Sequence, residues 1–129
     1  GRGDCIMIGK SSFGKLEDWP YSFWSEPRDN NLQMNERLKT ICDSMGLQYF
    51  ESRTPPCDNY FLNKAGIPST VISTVSPQVG KIWQNANEPT ERVMELLGIH
   101  ERDSIKNIDK KTLSLMKKLI VRIAVSCPE

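Results

Sequence analysis

The stretch Asp58-Asn59-Tyr60-Phe61-Leu62-Asn63-Lys64-Ala65-Gly66-Ile67-Pro68-Ser69-Thr70-Val71-Ile72-Ser73 decides how this chain is read. An acidic residue, Asp58, opens a short amphipathic helix from which Phe61, Leu62 and Ala65 are expected to face a core. Gly66 takes the positive φ that closes a helix, and Pro68 prevents its resumption. Thr70-Val71-Ile72 then reads as a buried strand.

Working outward, Cys5-Ile6-Met7-Ile8 is a short apolar strand ended by Gly9. Residues 10–31 are rich in turn signals, with Trp19-Pro20, Trp24 and Glu26-Pro27. A connection that long in a compact domain is often functional or carries small local structure. Asn35 is a good N-cap. Leu38, Ile41, Cys42 and Met45 follow at helical spacing, and Gly46 is the C-cap. Residues 47–50 read as a second strand, and residues 52–57, with Pro55-Pro56, as a loop. Beyond the quoted stretch, residues 75–86 read as irregular. Asn87 or Thr90 caps a helix that buries Val93, Met94 and Leu97 and ends at Gly98. Asn107 caps the longest helix, whose apolar stripe is Ile108, Leu115, Leu119, Ile120, Ile123 and Ala124. Opposite lie Lys110, Lys111, Lys117, Lys118 and Arg122. That face is most simply solvated; a membrane or an anionic partner is the alternative. Strands alternating with helices indicate an α/β three-layer arrangement.

The length, 129 residues, is that of one domain with a real core. Lys and Arg number 17 against 16 Asp and Glu, and the aromatics sit in no basic stripe. Nucleic-acid binding therefore has no electrostatic footprint. No apolar run has the length of a bilayer span, and no signal peptide is visible. The four cysteines, Cys5, Cys42, Cys57 and Cys127, form no Cys-x-x-Cys pair, which argues against a zinc knuckle. Cys5, Cys42 and Cys127 lie in apolar contexts. Cys57, in Pro-Pro-Cys-Asp, is the best disulfide candidate, with no partner that can be named. Gly9-Lys10-Ser11-Ser12 lacks the upstream glycine of a phosphate-binding loop. Arg2-Gly3-Asp4 spells a cell-adhesion tripeptide too short to carry weight. His100, the single histidine, follows a helix stop and reads as a surface residue. Trp19, Trp24 and Trp83 read as core or as pocket lining.

The quoted stretch resembles the co-catalytic zinc aminopeptidases of metallopeptidase clan MH, which include leucyl aminopeptidases, glutaminyl cyclases and transferrin-receptor-like proteins. In that family Ser-Asp-His precedes a helix, Ala-Gly-Ile-Pro and a strand. Here Asp58 matches the Asp, with Cys57 in place of Ser and Asn59 in place of His. Asp4-Cys5-Ile6-Met7-Ile8-Gly9 resembles the family's Asp-Met-Ile-Gly strand. Trp83-Gln84-Asn85-Ala86-Asn87-Glu88 resembles the loop holding the last histidine ligand, and Ile108-Asp109 the opening of the last helix. The resemblance covers nearly the whole chain, as the C-terminal half of a family domain. It implies one aminopeptidase-like domain over residues 1–129, an α/β three-layer fold with a truncated mixed sheet and flanking helices.

In the family two zinc ions share a bridging hydroxide and polarise the scissile carbonyl. The resemblance places Asp4 at a metal-ligand position and Gln84 at the position of the last histidine. It places Asp58, Asn59 and Trp83 about the substrate. A carboxamide such as Gln84 is a poor zinc ligand, the other ligands would lie before Asp4, and one carboxylate cannot hold a zinc pair. The expectation is therefore a metallopeptidase-like domain without catalytic residues or cofactor. The alternative is a non-catalytic binding or interaction module, and a third reading is a coincidence of α/β architecture. The family favours the cell envelope or secretion. The strand at residues 5–8 is expected at an exposed sheet edge, covered by Trp19, Phe23 and Trp24 or paired with a second copy or a partner.

Overall fold

The structure, a computed structural model, describes residues 3–12, 32–54, 58–86 and 109–126. Its elements follow in the order β1 (Cys5–Ser12), α1 (Leu32–Ser44), β2 (Tyr49–Thr54), α2 (Asp58–Lys64), β3 (Ile72–Val75), α3 (Pro77–Ala86) and α4 (Lys110–Ser126). The expected helix around Val93 to Leu97, its caps, the Trp19–Trp24 region, Cys57, His100, Asn107, Ile108 and Cys127 lie outside the described residues.

The three strands form one mixed sheet in the order β2-β1-β3. β1 runs parallel to β2, with Ile6 opposite Tyr49 and Ile8 opposite Glu51, and antiparallel to β3, with Cys5 opposite Val75 and Ile8 opposite Ile72. β1 is therefore the central strand. The edge position expected for residues 5–8 is corrected: both neighbours come from within this chain. A register irregularity between Gly9 and Ser11 leaves Lys10 out of the β1–β2 ladder.

Burial on both faces explains why β1 reads as a continuous apolar run rather than an alternation. Cys5 and Met7 face one layer, where they pack with Phe50, Val75, Val79 and Trp83. Ile6 and Ile8 face the other, with Leu38, Ile41 and Cys42 of α1 and Leu119 of α4. Helices thus cover both faces of the sheet, so the α/β class with a mixed sheet and flanking helices holds.

Two helix ends were correctly placed by glycine. Gly46 and Gly66 adopt φ of 64° and 80°. Leu47 N–H donates to Cys42 O and Gly46 N–H to Asp43 O; Ile67 N–H donates to Leu62 O and Gly66 N–H to Asn63 O. Each is a six-to-one and five-to-two pair of bonds that satisfies the last carbonyls of its helix.

Other local expectations fail for identifiable reasons. Asn35 lies inside α1 and is fully buried rather than capping it. Residues 52–54 extend β2, and the buried strand at 70–72 moves to Ile72–Val75. On α2 the buried residues are Asn59 and Tyr60, whereas Phe61, Leu62 and Ala65 are exposed. The supposedly irregular residues 75–86 contain α3. Ser76 caps it, its Oγ accepting from Val79 N–H and its carbonyl from Gly80 N–H, and Pro77 occupies the first turn, where no intrahelical donor is needed. The glycine inside α3 also has a packing reason. A Cβ at Gly80 would stand 3.2 Å from Cys5 Sγ and 3.3 Å from Phe50 Cε1, tighter than nearly all ordinary contacts. On α4, Asp109 receives first-turn bonds, accepting from Lys111 N–H and from the Thr112 hydroxyl. Those bonds hold its carboxyl below the usual carboxylate range.

Candidate functional site

At the carboxyl end of the parallel pair the apolar centre of the sheet gives way to polar residues. β1 passes from Ile6-Met7-Ile8 to Gly9, Ser11 and Ser12, and β2 from Phe50 to Ser52 and Thr54, with Ser12 opposite Thr54. In α/β sheets this end of parallel strands is where ligands bind, because the strand termini and the following loops open a crevice there.

Three elements meet at the Gly9 carbonyl. Asn35 of α1 donates to it from Nδ2 at 3.1 Å. The Thr70 hydroxyl, on the approach to β3, lies 3.1 Å from the same oxygen and 2.7 Å from Asn35 Oδ1. One hydroxyl proton serves the nearer acceptor, so the amide and hydroxyl bond each other while the amide clamps the strand. The Val71 carbonyl takes Gly9 N–H at 2.9 Å. Asn35 is fully buried, and this pairing is what permits a carboxamide there. The corner leading to Thr70 is fixed as well: Asn63 exchanges two bonds with the Ser69 backbone, and the Ser69 hydroxyl donates to Asn59 O at 2.8 Å.

On the other flank, Ser52 is fully buried and donates to Arg53 O at 3.2 Å. Thr54 is 3 % exposed, and its hydroxyl has no hydrogen-bond partner among the described residues. A buried hydroxyl left unmatched is unfavourable by about 1–3 kcal/mol, so it marks a place where a further polar group belongs. Asn35, Ser52, Thr54 and Thr70 are all neutral. They suit hydroxyls and ring nitrogens of an uncharged ligand rather than a phosphate.

The residues singled out from sequence do not converge there. Asp4 is exposed just before β1, and Asp58 is exposed at the first position of α2. Asn59 is buried beside Asp58. Trp83 is buried in the core, edge-on to Phe50 with ring centroids 6.0 Å apart. Gln84, one residue on, is exposed and lines a groove of about 300 Å³ with Cys5, Gln48, Phe50 and Lys81 at the opposite end of the strands. Among the described residues no three His, Cys, Asp or Glu side chains stand close enough to share a metal ion. Two thiols are buried in the core beside the sheet. Burial, and then Asp4, raises Cys5; burial, Asp43 and Cys5 push Cys42 up to about 11. Both are inert thiols rather than nucleophiles. Sequence reasoning missed Asn35, Ser52, Thr54 and Thr70. The signal available was the polar tail of each strand.

The class defined by this arrangement is an α/β domain with a mixed sheet and a neutral, hydrogen-bonding carboxyl end. Neither a family model nor a curated protein matches the sequence. Among solved structures, the chain is similar to a protein from Francisella philomiragia described as a 5'-methylthioadenosine/S-adenosylhomocysteine nucleosidase. The TM-score is 0.50 at 12 % identity, over 94 % of this chain and 63 % of that one. Helicobacter pylori MTAN matches with a TM-score of 0.48 at 10 % identity, over 94 % and 61 %. The chain thus spans less than two thirds of each of these proteins.

This likeness corrects the zinc-aminopeptidase resemblance and the metallopeptidase function read from it, and the non-catalytic module set beside it gains no support. The fold is similar to that of the Francisella protein described as a nucleosidase. The reason for the misreading is physical. The Gly-Ile-Pro corner is a helix stop held by its own backbone bonds, and any α/β chain with a helix ending before a strand can use it.

Proposed function

We propose that this chain forms the ligand-holding part of a nucleosidase-like hydrolase domain, with a nucleoside bound at the carboxyl end of β1 and β2. The observation that carries this reading is the buried Thr54 hydroxyl, without a hydrogen-bond partner among the described residues, at the carboxyl end of the same parallel pair whose Gly9 is clamped by Asn35 and Thr70. The fold likeness supports it, since the Francisella protein is described as acting on 5'-methylthioadenosine and S-adenosylhomocysteine. Fold alone does not fix activity, so the reading also rests on the chemistry of the end of the sheet. A nucleoside offers ribose hydroxyls and base nitrogens without net charge. The Thr54 hydroxyl would hold such a group and supplies no general acid or base, while Asn35 and Thr70, bonded to each other and to Gly9, fix the strand end. The same reading makes the partner a small molecule rather than a nucleic acid, in keeping with 17 basic against 16 acidic side chains. With β1 central, pairing of two copies through the sheet falls to β2 or β3.

The test is calorimetric titration with adenosine and with 5'-methylthioadenosine, alongside chromatographic detection of released adenine. Binding is expected, and Thr54→Val should weaken it by roughly 3- to 10-fold, the equivalent of one neutral hydrogen bond. No heat and no adenine with either nucleoside, from a chain whose circular dichroism shows it folded, would sink the proposal. So would a Thr54→Val variant that binds as tightly as the parent.

A further inference from the structure

Helix α4 is chemically unlike the rest of the chain. Its 17 residues contain Lys110, Lys111, Lys117, Lys118 and Arg122 and no acidic residue. Five of the chain's 17 basic side chains, and none of its 16 acidic ones, lie on this one element. Lys117, Lys118 and Arg122 have no ion-pair partner among the described residues. The inner face is settled: Thr112 and Leu119 are buried, with Met116 and Ile123 packed against the core. The outer face is not merely solvated lysine. Leu113, Ile120, Val121 and Val125 are 56, 55, 53 and 75 % exposed. They recur at helical spacing over three turns, so they form an outward apolar strip with Lys117 set into it.

We infer that the outer face of α4 docks on an anionic lipid bilayer, lying in the interface with its aliphatic strip in the acyl boundary and its cations at the phosphates. Charge complementarity sets the sign of the occupant. A second copy of the same helix would bring five cations against five and is disfavoured. The interleaving of the residues favours a bilayer over a protein groove. Lys117 stands between Leu113 and Val121 at four-residue spacing on both sides, so a protein surface that buried the strip would have to bury that ammonium too. At a bilayer the lysine stem lies along the apolar layer while its head reaches the headgroups. α4 is not a membrane span: no helix among the described residues is long and apolar enough to cross.

The test is co-sedimentation of the whole chain with vesicles of phosphatidylcholine alone and of phosphatidylcholine mixed with phosphatidylserine, at low and high salt. Binding is expected to the anionic vesicles only and to fall with salt. Lys117→Gln with Lys118→Gln should lower the partition coefficient roughly thirtyfold, from the contribution of each basic residue near an anionic surface. Leu113→Ser with Val125→Ser should also weaken binding, and because both sites are exposed the fold and its helicity should be kept. Absence of binding to anionic vesicles at low salt overturns the inference. Equal binding to neutral vesicles overturns it as well. So does binding to soluble polyglutamate without binding to vesicles, which would assign the face to an acidic protein.

Discussion

Asn35→Ala tests the clamp between α1 and the sheet, and the structure sets the size of its effect. Asn35 is fully buried, donates to Gly9 O and accepts from the Thr70 hydroxyl. Its removal does not orphan both partners. Thr70 can re-aim its proton from the lost Oδ1 to Gly9 O, already 3.1 Å away, so the carbonyl keeps a donor and the hydroxyl an acceptor. One net hydrogen bond is lost, worth about 1 kcal/mol, and a small buried void adds about 1 kcal/mol more. The expected destabilisation is about 2 kcal/mol, which for a chain this long lowers Tm by roughly 6–10 °C. Urea unfolding followed by circular dichroism gives the free energy. A cycle with Thr70→Val isolates the pair: the double variant should lose about 1 kcal/mol less than the sum of the singles, because each single change already breaks the shared bond. Singles that add within about 0.3 kcal/mol, or an Asn35→Ala chain that melts with the parent, would show that the amide is not the clamp.

Two further predictions rest on backbone conformation and on proton linkage. Gly66→Val should destabilise by more than about 1 kcal/mol through strain alone, since φ is 80° and an added Cβ would meet no atom within 4 Å; a melting temperature equal to the parent's would refute the strain account. The Cys42 thiol, raised from 9.0 to about 11 by burial first, should make stability constant below pH 9 and let it fall as pH rises toward 11, because the unfolded chain releases that proton earlier. The urea midpoint across this window reads it, and Cys42→Ala should flatten the fall; a midpoint that holds or rises through the window contradicts the assigned burial.

What the sequence made legible was whatever depends on neighbours along the chain. Gly46 and Gly66 mark helix ends because only the local backbone decides where a positive φ is affordable. The apolar run at residues 5–8 announced a strand, but not its place in the sheet. A strand buried on both faces reads the same whether its partners come from this chain or another. The exposure of Phe61 and Leu62 was illegible for a related reason. The helical period says which residues share a face, and tertiary contact says which face is inside; here Asn59 and Tyr60 won the interior. α3 was hidden in a stretch, residues 75–86, that reads as irregular because it contains Pro77 and Gly80. In place, the proline takes the first turn and the glycine makes room for Cys5 and Phe50. The candidate site was hidden most of all. Asn35 and Thr70 are 35 residues apart in sequence, and each reads alone as a cap or a strand residue until α1 and β3 bring them to Gly9.

The distance along the chain between β1 and its neighbours has a consequence for how this protein comes into being. Gly3 N–H donates to the Thr112 hydroxyl across 109 residues, and β1 draws its neighbours from residues 49–54 and 72–75. During synthesis Cys5-Ile6-Met7-Ile8 leaves the ribosome before any of its partners. It waits as an unpaired apolar segment until residues 49–54 and 72–75 follow, and its second covering helix, α4, emerges later still. Contacts this distant along the chain make folding slow, and an early strand with no partner is the segment that self-associates in the interval. Moving β1 to a position after α4 would remove that wait, and the yield of soluble protein would register the difference.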